Sequence, residues 1–168
     1  MRDVLRLIWN ICWLRQGPQD MPSATILMVI LVAIYALVGV FLGIAKVSLG
    51  QATLESLLSI LIMIVFVQLA LRVRGHAARL NQTLSAMAGC DALLSSMLVP
   101  LLVLLKAGIL PPILFANLWL LLLIWSIVIT AHILRHALAI SFVTGILLSL
   151  AYLVMQLVTN HFVFATEA

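Results

Sequence analysis

Hydrophobic residues fill this chain in five long runs that are separated by short polar segments. A helix needs about 20 apolar residues to cross the ~30 Å hydrocarbon core of a bilayer. The runs therefore predict an all-α fold, a polytopic membrane helix bundle with five transmembrane helices and additional amphipathic helices at the membrane surface. The predicted spans cover about residues 24–45, 55–72, 92–110, 113–131 and 137–157.

Two polar segments show helical periodicity. Residues 1–15 and residues 73–91 each place apolar side chains on one side of a helix and polar side chains on the other. This pattern is typical of a helix lying in the membrane surface. We predict an N-terminal interfacial helix and turn over 1–23, a transmembrane domain over 24–158 with a cytoplasmic amphipathic segment at 73–91, and a short outer tail at 159–168.

The charges are few but unevenly placed. Hydrophobic residues make up 65% of the chain and charged residues 8%, against about a quarter in soluble proteins. With the N-terminus inside, the cytoplasmic segments would hold seven basic residues and the outer segments two. The seven are Arg2, Arg6, Arg15, Arg72, Arg74, Arg79 and Arg135, and the two are Lys46 and Lys106. The excess predicts a cytoplasmic N-terminus and an outer C-terminus.

Pro100 lies near the middle of the third predicted span. A proline inside a helix removes a backbone hydrogen bond and commonly produces a kink, which we expect here. The alternative is a re-entrant third segment, which would return the C-terminus to the cytoplasm.

Small residues spaced four apart predict close helix packing in two places. Gly39 and Gly43 form a GxxxG pair in the first span. The last span carries a stripe at the same spacing, made of Ala137, Ser141, Gly145 and Ser149. We expect these two surfaces to be packing seams, and the first is a candidate partner for the second.

Basic and polar side chains offer few other sites. Anionic lipid headgroups attract nearby arginines; the candidates are Arg6, Arg15, Arg72, Arg74 and Arg79. His132, His136 and His76 are weak candidates for a metal site, and polar contacts at headgroup level are the favoured interpretation. No long basic run exists for nucleic acid, which is not an expected partner.

The bilayer interior is expected to lack ionisable groups. Asp91 falls at the predicted start of the third span, where a negative charge is favourable beside a helix N-terminus. No acid, base and nucleophile can be grouped from the scattered acidic residues, so we predict neither enzymatic activity nor a cofactor.

The order of features resembles the Yip1-domain family of five-span membrane proteins, over about residues 6–158. The resemblance lies in a proline before the first span, the segment ARLNQTLSAMAGCDALLSSMLVP, the Trp-rich LWLLLLIWSIVITAH, and the small-residue segment ILRHALAISFVTGILLS. It implies a compact five-helix bundle and, in eukaryotic relatives, membrane trafficking through small GTPases. The chain looks like the short bacterial members, whose function the resemblance does not supply.

Three functions remain open at this point. The leading hypothesis is a non-enzymatic scaffold or assembly partner for membrane proteins or lipid organisation, with the bilayer and other membrane proteins or a second copy as partners, in a bacterial inner membrane. The alternative is a small oligomeric transporter or channel. A third is an accessory subunit that holds a cofactor through His132 and His136.

Overall fold

The computed structural model describes residues 2–164, with side chains through residue 161. It is all-helical over that range, which confirms the predicted fold class, and five of its helices are long and apolar enough to cross a membrane. The helices are α1 (Arg2–Cys12), α2 (Thr25–Gly43), α3 (Leu49–Val73), α4 (Leu80–Lys106), α5 (Pro112–Leu138) and α6 (Phe142–Phe164). Short 3₁₀ turns at Pro18–Asp20 and Ala77–Arg79 precede α2 and α4.

Local sequence signals set several helix ends. At the start of α3, the Ser48 hydroxyl accepts a hydrogen bond from the Gln51 backbone N–H at 3.4 Å, and the Gln51 side chain accepts from the Ser48 N–H at 3.2 Å. This reciprocal pair satisfies two donors that a helix N-terminus leaves free. Pro112 begins α5, where its missing N–H costs nothing.

α4 is the central helix and differs most from its prediction. It packs against α1, α2, α3 and α5 and begins at Leu80, twelve residues before the predicted start at residue 92. Residues 83–90 are all buried. The prediction of a surface helix over 73–91 is therefore wrong beyond residue 80, because the polar side chains there face other helices instead of headgroups. α4 continues through Pro100 to Lys106, a length that spans a membrane without re-entry.

α1 was predicted to turn its apolar face toward lipid, and it packs against protein instead. Ile8, Ile11 and Cys12 are buried. A Cβ placed on Gly89 of α4 would lie 2.8 Å from the Ile8 Cδ1 atom. Trp13 contacts Trp125, the middle residue of α5, with ring centroids 6.5 Å apart. α1 thus covers the bundle from the end where α4 begins.

The position of the turn between α5 and α6 shows that the predicted stripe of small residues does not lie on one helix. α5 continues through His132 and His136 to Leu138, so Ala137 belongs to α5. Ser141 precedes α6, and its hydroxyl accepts a hydrogen bond from the Thr144 N–H at 3.2 Å. Serine is favoured at such a capping position over a helix interior. Only Gly145 and Ser149 of the stripe lie on α6. The predicted outer tail also shortens, because α6 runs to Phe164 and residues 165–168 lie outside the described residues.

Ala139 occupies the left-handed position that ends α5, with φ 52° and ψ 53°. This conformation costs a residue with a Cβ about 1 kcal/mol more than glycine. The Ala139 side chain is exposed, so its removal loses no packing. We expect Ala139→Gly to raise the free energy of unfolding by roughly 0.5–1 kcal/mol, measured by thermal denaturation in detergent. Ala151→Gly, an exposed position inside α6, is the matched control and should lose about 1 kcal/mol. A loss of stability in both variants would contradict the argument that the backbone at Ala139 is strained.

Candidate functional site

A polar cavity of about 280 Å³ lies among the five long helices, and each of them contributes to its lining. The polar lining residues are Tyr35, Ser59, Asp91, Ser95, Ser126, Tyr152, Gln156 and Asn160. The apolar lining consists of Trp119 and leucines of α4, α5 and α6.

Asp91 supplies the one carboxyl group of this cavity. It follows Leu80 by eleven residues and precedes Lys106 by fifteen, which at 1.5 Å per residue places it roughly 16 and 22 Å from the two ends of α4. No Lys, Arg or His lines the cavity within the described part of the chain. Among residues 2–161, no donor forms a hydrogen bond with the carboxylate. Asp91 is therefore a carboxyl group at mid-depth without a hydrogen-bonding partner among the described residues.

The other lining residues lie at a similar depth or farther along the same direction. On α4 they follow Asp91, on α6 they follow Tyr152, and on α5 they precede Ser126. Because α5 runs antiparallel to its neighbours α4 and α6, all three directions point to one end of the bundle. The cavity thus extends from the middle of the bundle toward the end where α4 finishes and α5 begins.

The bundle interior is closed on the other side of Asp91; a separate space of about 460 Å³ at that end is lined by residues of the segment 14–20 and the end of α5. The buried stretch 83–90 of α4 meets the buried stretch 129–134 of α5, and the buried face of α1 covers them. The Cys90 thiol approaches the Ile8 carbonyl at 3.9 Å, and the Gln16 carbonyl lies 3.0 Å from Nε2 of His132. A solute in the cavity would meet close-packed side chains on this side.

Gln156 is held by its neighbours in a defined orientation. Its Nε2 amide group donates to the Ser59 carbonyl at 3.2 Å and to the Tyr152 hydroxyl at 2.8 Å. A backbone carbonyl only accepts hydrogen bonds, which fixes the nitrogen on that side. Among the described residues, the Gln156 Oε1 atom and the Asn160 Oδ1 atom one turn later are buried without a hydrogen-bond partner. Buried acceptors of this kind are uncommon, and an unsatisfied one costs about 1–3 kcal/mol.

The predicted packing glycines contact neighbouring helices within the chain. A Cβ on Gly43 would lie 2.7 Å from the Ala52 Cβ, and one on Gly39 would lie 3.0 Å from the Ser56 hydroxyl, both on α3. A Cβ on Gly145 would lie 2.6 Å from the Ala131 carbonyl oxygen on α5. Each seam packs against the helix next to it in sequence, so the expected pairing between the two seams is wrong.

The arginines predicted to contact lipid divide into two groups. Arg74 donates from Nε to the Leu138 carbonyl at 3.3 Å, and Arg79 donates from Nη1 to the His136 carbonyl at 3.2 Å. These carbonyls end α5 and carry the negative end of its dipole, which cations stabilise. Arg6, Arg15 and Arg72 are exposed, and their contact with headgroups stays a prediction.

The histidines predicted as weak metal candidates do not come together as a set. The His132 and His136 rings pack edge to face with centroids 4.6 Å apart. His76 lies in the turn after α3. No group of three or more His, Cys, Asp or Glu side chains suited to a metal ion forms in the described part of the chain.

Asp91 is the residue whose role the sequence interpretation missed. Because the third span was started at residue 92, its carboxyl group was assigned to the membrane surface. The available signal was the apolar and small sequence on both sides of it, from Ala86 to Leu94.

Searches against protein-family models, curated proteins and solved structures find no match to this chain. The resemblance to the Yip1-domain family stays a prediction, and the site is interpreted from its own geometry.

Proposed function

We propose that this membrane protein is a small carrier that binds a polar solute in its central cavity and moves it across the bilayer. Asp91 is the observation that supports this most strongly. An ionisable side chain at mid-depth of a membrane helix is costly and is by default a sign of function in transport, proton transfer or ligand binding. Among the three initial hypotheses, this selects the one that was first ranked as the alternative.

The shape of the cavity favours a carrier over an open channel. The cavity extends toward one end of the bundle and is closed by buried side chains and α1 at the other. A carrier holds its solute near the bilayer midplane and opens to one side at a time. The structure has the form expected of one such state.

The glycine seams offer no free surface to a scaffold's partner. Gly39, Gly43 and Gly145 lie against neighbouring helices of the same chain. A Yip1-like scaffold would have to use other surfaces, such as the exposed faces of the spans. A protein that binds and moves a solute does not need a protein partner on these surfaces.

The orientation of the carrier follows from the basic residues. Seven of nine Lys and Arg residues lie at the end of the bundle that holds the N-terminus. We propose that this end is cytoplasmic, in a bacterial inner membrane, and that the cavity extends toward the outer face. Movement of α1 away from α4 would then be needed to open the inner side.

A cysteine at Ser95 tests the proposal without knowledge of the solute. Ser95 lines the cavity one turn beyond Asp91. The reagent is the membrane-impermeant cation 2-(trimethylammonium)ethyl methanethiosulfonate, applied to either side of vesicles of uniform orientation that contain the Ser95→Cys variant. A carrier visits both states, so we expect labelling from both sides, with the outer side reacting faster.

Wild-type protein is the background control, because Cys12 and Cys90 are both buried. Leu121→Cys is the matched variant on a lipid-exposed face of α5 and should not react with an impermeant reagent. Labelling of Ser95→Cys from the outer side alone would contradict transport and leave a one-sided binding site. Absence of labelling from both sides would refute an accessible cavity.

A further inference from the structure

We infer that the solute is a small organic monocation whose charged group is an ammonium with N–H donors, as in a primary or secondary amine. This inference rests on the proposed function of the same cavity. It names the chemical class of the solute from three features of the lining: its charge, its unpaired acceptors and its aromatic and apolar surface.

The lining can carry one carboxylate charge. Asp91 is its one carboxyl group, and within the described residues no basic side chain lines the cavity to pair with it. A cation with one positive charge would form the ion pair that the protein does not supply. An anion would add a second negative charge in a region where charges are poorly screened.

Two amide oxygens in the cavity are buried acceptors without a hydrogen-bond partner among the described residues. The Gln156 amide nitrogen already donates to two partners, which leaves its Oε1 atom unpaired. The Asn160 Oδ1 atom, one turn away on α6, also has no hydrogen-bond partner in the part of the chain that the structure describes. An ammonium group has up to three N–H donors and no acceptor. Its donors match the carboxylate of Asp91 and these two amide oxygens.

The remaining surface favours an organic cation over a metal ion. The lining also contains three aromatic residues and several leucines; the aromatic residues are Trp119, Tyr35 and Tyr152. Aromatic faces attract organic cations by about 0.5–2 kcal/mol, and leucines accommodate the hydrocarbon part of such a solute. Ca²⁺ prefers six to eight oxygen ligands, commonly with several carboxylates, and Asp91 is the one carboxylate in this lining. A cavity of about 280 Å³ also has room for several non-hydrogen atoms.

The first test measures the charge preference of the cavity. The Ser95→Cys variant is reacted with the trimethylammonium reagent and with its anionic counterpart, 2-sulfonatoethyl methanethiosulfonate, and the rates are normalised to a small thiol in water. We expect the cation to react about tenfold faster or more, because a charged cleft concentrates counter-ions. The double variant Ser95→Cys with Asp91→Asn should lose most of that preference. An unchanged ratio in the double variant would overturn the assignment to Asp91.

The second test measures binding with three matched probes: phenethylamine, 2-phenylethanol and 3-phenylpropanoate. Each is used to protect Ser95→Cys from a neutral reagent, methyl methanethiosulfonate, and butylamine serves as a second amine. We expect protection by the amines at concentrations about tenfold lower than by the neutral or anionic probe, and loss of this difference in the Asp91→Asn background.

The outcomes separate this inference from the proposed function. Equal or better protection by the alcohol or the carboxylate would overturn the assignment of the solute as an organic cation. The proposal that the cavity binds a solute would still stand. Failure of both amines to protect a reactive cysteine would also overturn it. A cysteine that reacts with no reagent from either side would refute the proposed function, and this inference with it.

Discussion

Replacing Gly145 by alanine is expected to destabilise the protein by about 1–3 kcal/mol, and replacing it by leucine by more. The added Cβ atom would lie 2.6 Å from the Ala131 carbonyl oxygen of α5. Since this neighbour is backbone, no side-chain rotation relieves the contact, and α6 has to move away from α5. The expected result is a lower midpoint of thermal unfolding in detergent and less folded protein in size-exclusion profiles.

Gly50→Ala is the matched control for this prediction. Gly50 lies in the first turn of α3, and a Cβ placed there has no neighbouring atom within 4 Å. Alanine is the better helix former by up to about 1 kcal/mol, so this variant should be unchanged or slightly more stable. If both alanine variants unfold at the wild-type temperature, the close approach of α5 and α6 is not a determinant of stability.

The sequence predicted the architecture because its signals are strong. Five apolar runs of the required length predict five spans, and the structure has five helices that meet this criterion. A helix end was also predictable where a breaker is present, as at Pro112. Which helices pack together was not predictable, because a small residue such as Gly43 permits close approach without specifying the partner.

The site was missed because one polar segment allows two interpretations. The periodicity of residues 80–91 indicates a helix with a polar side, and a polar side can face either headgroups or other helices. In the structure, Thr83 is fully buried, and its hydroxyl donates to the Arg79 carbonyl at 2.9 Å. A hydroxyl that bonds to its own helix can enter the bundle at low cost. Because this part of α4 lies inside the bundle, Asp91 lies in the membrane interior.

Asp91→Asn is expected to stabilise the protein while it abolishes function. The carboxylate lies in a lining without a basic residue, and among the described residues no group donates a hydrogen bond to it. Removing an ionisable group from such a position should raise the free energy of unfolding by about 1–3 kcal/mol. The asparagine side chain has nearly the same shape, so packing is retained. The measurements are thermal unfolding and the labelling and protection assays described above.

Asp3→Asn is the control, because Asp3 is exposed on α1 and its replacement should change stability by less than about 0.5 kcal/mol. A residue kept for structure would give the opposite result, since its removal lowers stability. Natural proteins retain destabilising groups where function requires them, so higher stability combined with loss of function distinguishes a binding residue from a structural one. A lower unfolding temperature for Asp91→Asn would therefore argue that the carboxylate has an unrecognised structural partner and would remove the main support for a carrier.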